Sequence, residues 1–215
     1  MTEGKPRAPG RPSDTDRQEA RRTLIETAAT LFAGQGYDGT SLKQVADGAG
    51  VTPAMVAYYF KDKSGLLEAV VRRGLGILLE VVETVVADHV PGEFVPELID
   101  GYLGTLSRHP WIPQILIREV VSKDTPLRAL FMEEFAQRAA TLVPARVESE
   151  MREGALRPDL DARYTILSLV GMCVFPFVAQ PVLGPLLGYR LDTSFGESYT
   201  AHVLTLFSRG AGVGS

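Results

Sequence analysis

Between Ser41 and Phe60 the chain spells two helices, each too short to stand alone. Ser41-Leu42-Lys43-Gln44 has the spacing of a capping box: the Ser41 hydroxyl takes an orphan amide and Gln44 reaches back to the cap. Gly48 and Gly50 close that helix within two turns. Pro53 opens the next one after Thr52, at a position where a missing amide is harmless. Isolated helices shorter than about 12 residues are marginal in water, so both must dock. Two short helices joined by a tight Ala49-Gly50-Val51 turn have the layout of a helix-turn-helix, and Gly50 suits a turn position of positive φ.

The flanking sequence is helical as well. From Asp14, the residues Leu24, Ile25, Ala28, Leu31 and Phe32 recur at helical spacing, with Gly34 and Gly36 expected to stop the helix. Asp62 is placed to cap a fourth helix running from about Lys63 towards Asp88. Further helices are expected over 93–108, 111–122, 125–152, 161–180 and 192–208, with kinks at Pro144 and Pro176. No stretch alternates as a strand would. The expected fold is all-α, in three parts: a flexible Pro/Gly/Lys/Arg-rich arm over 1–13, a helix-turn-helix domain over 14–63, and a larger helical domain over 64–210.

Charge distribution sharpens this division. The 215-residue chain has a net charge of −4, which argues weakly against a nucleic-acid partner. Residues 1–63, however, hold nine Lys/Arg against eight Asp/Glu, and the rest holds thirteen against eighteen. The early positives cluster at Lys5, Arg7, Arg11, Arg17, Arg21 and Arg22, and again at Lys61 and Lys63. A basic patch is a local property, so the whole-chain charge is the wrong test. A lone Cys173 and a start without an apolar run point to a cytoplasmic protein. The uncharged run from Tyr164 to Tyr189 has the length of a membrane span. Pro176, Pro181 and Pro185 are expected to break it into a helix and a loop, which favours a buried or dimer-interface helix and no membrane.

On a wheel of 100° per residue, Thr52, Val56 and Phe60 share one side of the helix after Thr52, with Tyr59 at its edge. Ala54, Tyr58 and Lys61 lie opposite, flanked by Ala57. The apolar side is expected to pack on Leu24, Phe32, Val45, Ala49 and Val51. Small outward residues let a helix approach another surface closely, and a phenol and an ammonium can both donate to phosphate oxygens. A recognition helix in the major groove needs these features. Tyr58 shielding a domain junction, and Tyr59 serving either face, stay open as alternatives.

The run TAATLFAGQGYDGTSLKQVADGAGVTPAMVAYYFKDKSGLLEAV closely resembles the N-terminal domain of the TetR/AcrR family of bacterial transcriptional regulators. Its marks are Ala28-Ala29, Leu31-Phe32, Gly36-Tyr37 before Thr40-Ser41, Val45-Ala46, Ala49-Gly50-Val51, the aromatic run ending at Phe60, and Lys63. The resemblance implies that Lys43, Thr52, Tyr58 and Lys63 contact double-stranded DNA. Ser41, Tyr59 and Lys61 complete that set, and Pro53, Ala54 and Met55 suit apolar contact with thymine methyls. Two positions depart from the family: Ala57 stands where Tyr is common, and Ala54 where Gly is common. Arg11, in Gly10-Arg11-Pro12, is a candidate for minor-groove insertion, against the alternative of a solvated tail.

The resemblance further implies a homodimer formed through the helices near 161–180 and 192–208. It also implies a palindromic operator and a small effector whose binding releases a repressor. Candidate effector-lining residues are Tyr102, Leu106, Trp111, Ile115, Glu119, Phe131, Phe135, Met172, Cys173 and Phe175, an apolar and aromatic set suited to a hydrophobic ligand; taken singly, each reads as plain core more readily than as lining. Nothing in the sequence has the spacing of a metal site, a nucleophile elbow or a phosphate-binding glycine loop, so no metal, cofactor or catalytic residue is expected and the chain is read as a non-enzyme. A helical small-molecule-binding protein or enzyme whose DNA head has lost its role stays open as a second reading.

Overall fold

The computed structural model describes residues 14–87 and 90–212. It is all-α: among the described residues there is no strand, only an isolated bridge between Leu156 and Gly212. The chain divides into two compact units, one ending at Ala69 and one beginning at Val70. Arg11 and the rest of the arm lie outside the described residues.

The smaller unit contains α1 (Asp14–Gly39), α2 (Leu42–Gly48), α3 (Pro53–Phe60) and the start of α4 (Lys63–Ala87). Its core is Leu24, Ile25, Ala28, Ala29, Phe32, Val45, Ala46, Val56 and Phe60. The capping box is complete: Gln44 N donates to Ser41 Oγ at 3.2 Å and Ser41 N to Gln44 Oε1 at 2.7 Å. Gly50 takes φ 68°, and Asp62 Oδ1 accepts from Gly65 N at 2.8 Å at the start of α4. Gly34 does not stop α1; the break comes at Gly36, whose φ of 81° and ψ of 166° only glycine adopts readily. Gly48 is a close-approach residue. A Cβ there would sit 2.9 Å from Thr27 Cγ2, so α2 rests directly on α1.

The larger unit takes in most of α4, then α5 (Phe94–Arg108), α6 (Trp111–Ile115), α7 (Pro126–Phe131), α8 (Gln137–Arg152), α9 (Ala162–Leu187) and α10 (Thr193–Ala211). The runs expected as plain helices over 111–122 and 125–152 each contain a π-helical turn, at Leu116–Val121 and Met132–Ala136. Phe94, Ile99, Leu103, Leu106, Ile112, Val147 and Phe177 are fully enclosed in the core. Asp161 caps α9, accepting from Arg163 N at 2.8 Å, and Asp192 caps α10, accepting from Phe195 N at 2.9 Å.

The proline reading of α9 needs correction. The helix runs unbroken to Leu187 with Pro176, Pro181 and Pro185 inside it. Proline at 176 deprives the Met172 carbonyl of its helical donor, and the Tyr199 hydroxyl of α10 donates to that carbonyl at 3.1 Å. Tyr189 Oη donates to the Pro176 carbonyl at 3.0 Å, while Gly188 ends the helix at φ 71°. A partner in another helix thus replaces the bond that proline removes. Tyr199→Phe should orphan the Met172 carbonyl at a cost of about 1–3 kcal/mol, read as a lower urea midpoint with an unchanged denaturant slope.

Candidate nucleic-acid interface and internal cavity

α3 is oriented by its two buried anchors. Val56 is fully enclosed and Phe60 is 6% exposed, with the Arg21 guanidinium of α1 5.4 Å above the Phe60 ring. Pro53, Ala54, Ala57 and Tyr58 are exposed, and Tyr58, at 75%, is the most exposed large apolar side chain of this unit. Tyr59 is half-buried and meets Tyr58 edge-on at 5.2 Å between ring centroids. Met55 is half-buried, and Thr52 is exposed, away from the inner side where the wheel puts it. The Thr52 hydroxyl makes no capping bond to its helix.

The cations around α3 are held in different ways. Lys43 donates to Asp47 at 2.7 Å one turn along α2, an exposed pair that raises the lysine's pKa through that hydrogen bond. Lys63 is half-buried; its ammonium lies 4.3 Å from the Tyr37 ring centroid and 3.5 Å from the Asp38 carbonyl oxygen. Lys61 is exposed and ends α3 at φ 70°, the one non-glycine residue with positive φ among the described residues. Such a conformation costs on the order of 1 kcal/mol and tends to persist at functional positions. Ser41 is exposed, but its hydroxyl is committed to the capping box. Ser41, Lys43, Thr52, Pro53, Ala54, Tyr58 and Lys61 are thus exposed residues of one small unit, with Met55, Tyr59 and Lys63 partly covered.

The larger unit holds a half-open cavity of about 390 Å³. Its wall comes from α4 (Val82), α5 (Leu98, Ile99, Tyr102), the α7–α8 segment (Phe131, Phe135, Ala136, Ala139, Ala140, Val143, Pro144) and α9 (Arg163, Ile166, Leu169, Val170, Cys173). Of the ten residues singled out in the sequence, Tyr102, Phe131, Phe135 and Cys173 meet here. The other six lie elsewhere. Leu106 and Ile115 are buried core, Trp111 packs on Gly74, and Met172 is half-buried with its carbonyl bonded to Tyr199. Glu119 is buried in a 2.7 Å ion pair with Lys123, and Phe175 is 60% exposed on α9. The stripe Ala136, Ala139, Ala140 and Val143 went unrecognised, although its helical spacing of small residues was a readable sign of space beside α8.

The cavity's polar groups are few. Burial pushes the Cys173 thiol up to about 12 and raises the Tyr102 phenol above its ordinary value, so both stay protonated. Arg163 is largely exposed at the rim and donates to Asp161 at 2.6 and 3.1 Å, which holds that carboxyl down at about 2. The α7–α8 wall is tied to α4 by two ion pairs, Arg72–Glu134 and Glu83–Arg138.

Residues 24–70 match the family described as bacterial regulatory proteins, tetR family. The probable HTH-type transcriptional regulator YttP of Bacillus subtilis (strain 168) is 31% identical over 110 residues, 50% of this chain and 53% of YttP. This match therefore spans only about half of YttP's length. The HTH-type transcriptional repressor KstR2 of Rhodococcus jostii (strain RHA1) is 25% identical over 153 residues, 69% of this chain and 74% of that protein. The structure of AibR in complex with isovaleryl coenzyme A and operator DNA superposes with a TM-score of 0.70 at 21% identity, over 87% of this chain and 97% of AibR. At that identity the likeness shows a shared fold. With the capped helix pair and its glycine turn, residues 24–70 of the chain match the tetR family of bacterial regulatory proteins, the part of the molecule that carries the helix-turn-helix.

Proposed function

We propose that the chain is a DNA-binding transcriptional repressor that grips a palindromic operator as a homodimer and lets go when a small hydrophobic effector fills the larger unit's cavity. The observation that carries this reading is the division of α3: Val56 and Phe60 anchor it, while Pro53, Ala54, Ala57 and Tyr58 stand outward. Small side chains allow the close approach that a major groove requires, and Tyr58 with Lys61 and Lys63 supplies donors for the phosphates. KstR2 is named a repressor, and AibR holds both an acyl thioester and its operator on this same fold.

Coupling between cavity and DNA runs through α4 in this proposal. That helix starts at Lys63 in the smaller unit and contributes Val82 to the cavity wall. An effector that favours one position of α4 shifts the spacing of the two DNA-reading heads by its differential affinity for the two states.

A gel shift with the DNA upstream of the chain's own gene tests the reading. The wild type is expected to retard it at low salt. Lys63→Ala should weaken binding and lower the salt slope by about 1, and Tyr58→Ala should weaken binding with stability unchanged. Absence of any shift by the wild type at low salt would favour the second reading, a helical ligand-binding protein with a vestigial head.

A further inference from the structure

The cavity's own chemistry narrows what can occupy it, given the effector-controlled repressor proposed above. Its lining is hydrocarbon on every side, with three exceptions: Tyr102, Cys173 and, at the rim, Arg163. The Tyr102 hydroxyl makes no hydrogen bond among the described residues; its electrostatic neighbour on the lining is the Cys173 thiol, a weak acceptor. A phenolic proton beside an apolar cavity, with only a thiol sulfur near it, is a donor short of a good acceptor, and leaving such a group unmet is costly. We propose that the effector is a hydrocarbon group bearing a carbonyl, whose oxygen accepts from Tyr102 Oη while the chain or ring fills the space between α5, α8 and α9.

A carbonyl suits this site better than other polar groups do. An alcohol would bring a second hydroxyl proton, for which the lining offers only the weakly accepting Cys173 sulfur. A carboxylate or an ammonium would bury a charge with no counter-charge inside, a far larger penalty. The only cation on the lining is Arg163, and it sits at the exposed rim, already paired with Asp161. Any charged part of the effector must therefore remain outside, near Arg163. The volume of about 390 Å³ lies towards the small end of ligand pockets, which favours a medium-length chain or a compact ring system.

The same carbonyl chemistry has two sources: a free ketone or ester, or an acyl thioester whose charged carrier stays beyond the rim. Titration calorimetry with 2-decanone, decanoyl coenzyme A, decanoate and 1-decene separates them, using the intact protein and its Tyr102→Phe, Arg163→Gln and Ala139→Phe variants. The ketone or the thioester should bind the wild type more tightly than decanoate does. Tyr102→Phe should weaken the carbonyl ligand about three- to tenfold and leave 1-decene unchanged, and Ala139→Phe should block every ligand. Tighter binding of the thioester with a loss in Arg163→Gln identifies the carrier-borne source; ketone binding indifferent to Arg163→Gln identifies the free one. An equal loss of ketone and 1-decene in Tyr102→Phe, preference for decanoate, or no heat with any ligand would overturn the proposal. The gel shift tests the repressor reading without any ligand, so the two fail independently.

Discussion

Phe32→Ala should abolish operator binding by unfolding the smaller unit, without removing any contact to DNA. Phe32 is 1% exposed in the C-terminal half of α1 and belongs, with Leu24, Val45, Val56 and Phe60, to the buried residues of the smaller unit. Truncating a buried Phe to Ala costs about 3–5 kcal/mol, the lost transfer energy plus the cavity left behind. A folded unit of some 56 described residues has on the order of 3–8 kcal/mol in total at typical stabilities per residue. The substitution therefore consumes most or all of that stability. Calorimetry should show the smaller unit's transition lost or moved far down, with the larger unit still folded, and the gel shift should vanish with it. Tyr58→Ala is the matching control: its side chain is exposed, so DNA binding should fall while melting stays put. An unchanged melting profile for Phe32→Ala would mean that this core does not determine the unit's stability.

The features legible in the sequence are those fixed by neighbours within a turn or two. The Ser41–Gln44 box, the Gly50 turn, Pro53 at the first turn of α3 and the Asp62 and Asp161 caps all depend on residues at most four positions away. The two faces of α3 were legible for the same reason, since a fixed rotation per residue sorts Val56 and Phe60 from Ala54 and Tyr58. Thr52 escaped this rule because it precedes the helix, where the wheel no longer applies.

What failed depended on distant partners. Pro176 read as a helix breaker, because the hydroxyl that donates to the Met172 carbonyl lies 27 residues on, at Tyr199. The cavity was half legible. The aromatic residues Tyr102, Phe131 and Phe135 were named because aromatics advertise themselves, whereas Val82, Ala136, Ala139 and Ile166 line it with side chains that any helix might carry. Trp111 and Leu106 were equally conspicuous, yet they face the core, because the rotation of α5 and α6 is set by packing that no local pattern records.

Leu167→Glu should convert the proposed homodimer to monomers. On α9 the residues Tyr164, Leu167, Gly171, Phe175, Val182 and Leu186 fall within about 100° of one another at helical rotation, and all are exposed. They line roughly 33 Å of helix at 1.5 Å per residue. An apolar stripe of that extent marks an interface more often than free surface. By length and composition α9 could also cross a membrane. Its other side, though, gives Leu169, Cys173 and Phe177 to the core and Ile166 to the cavity wall, which a bilayer would have to strip away. In the proposed homodimer a second copy would cover the stripe without disturbing that packing. A two-fold axis would place the new carboxylate in the interface twice, once from each copy, and burying an unpaired charge costs several kcal/mol. The dissociation constant should rise by on the order of 10³ or more. Light scattering after size exclusion should give twice the 23.3 kDa chain mass for the wild type and the single-chain mass for Leu167→Glu. Thr141→Glu, at an exposed position on α8, should stay dimeric. A wild type that runs as a monomer, or a Leu167→Glu variant that stays dimeric, would remove α9 as the dimer contact; detergent-dependent solubility of the wild type would instead make the stripe a lipid-facing surface.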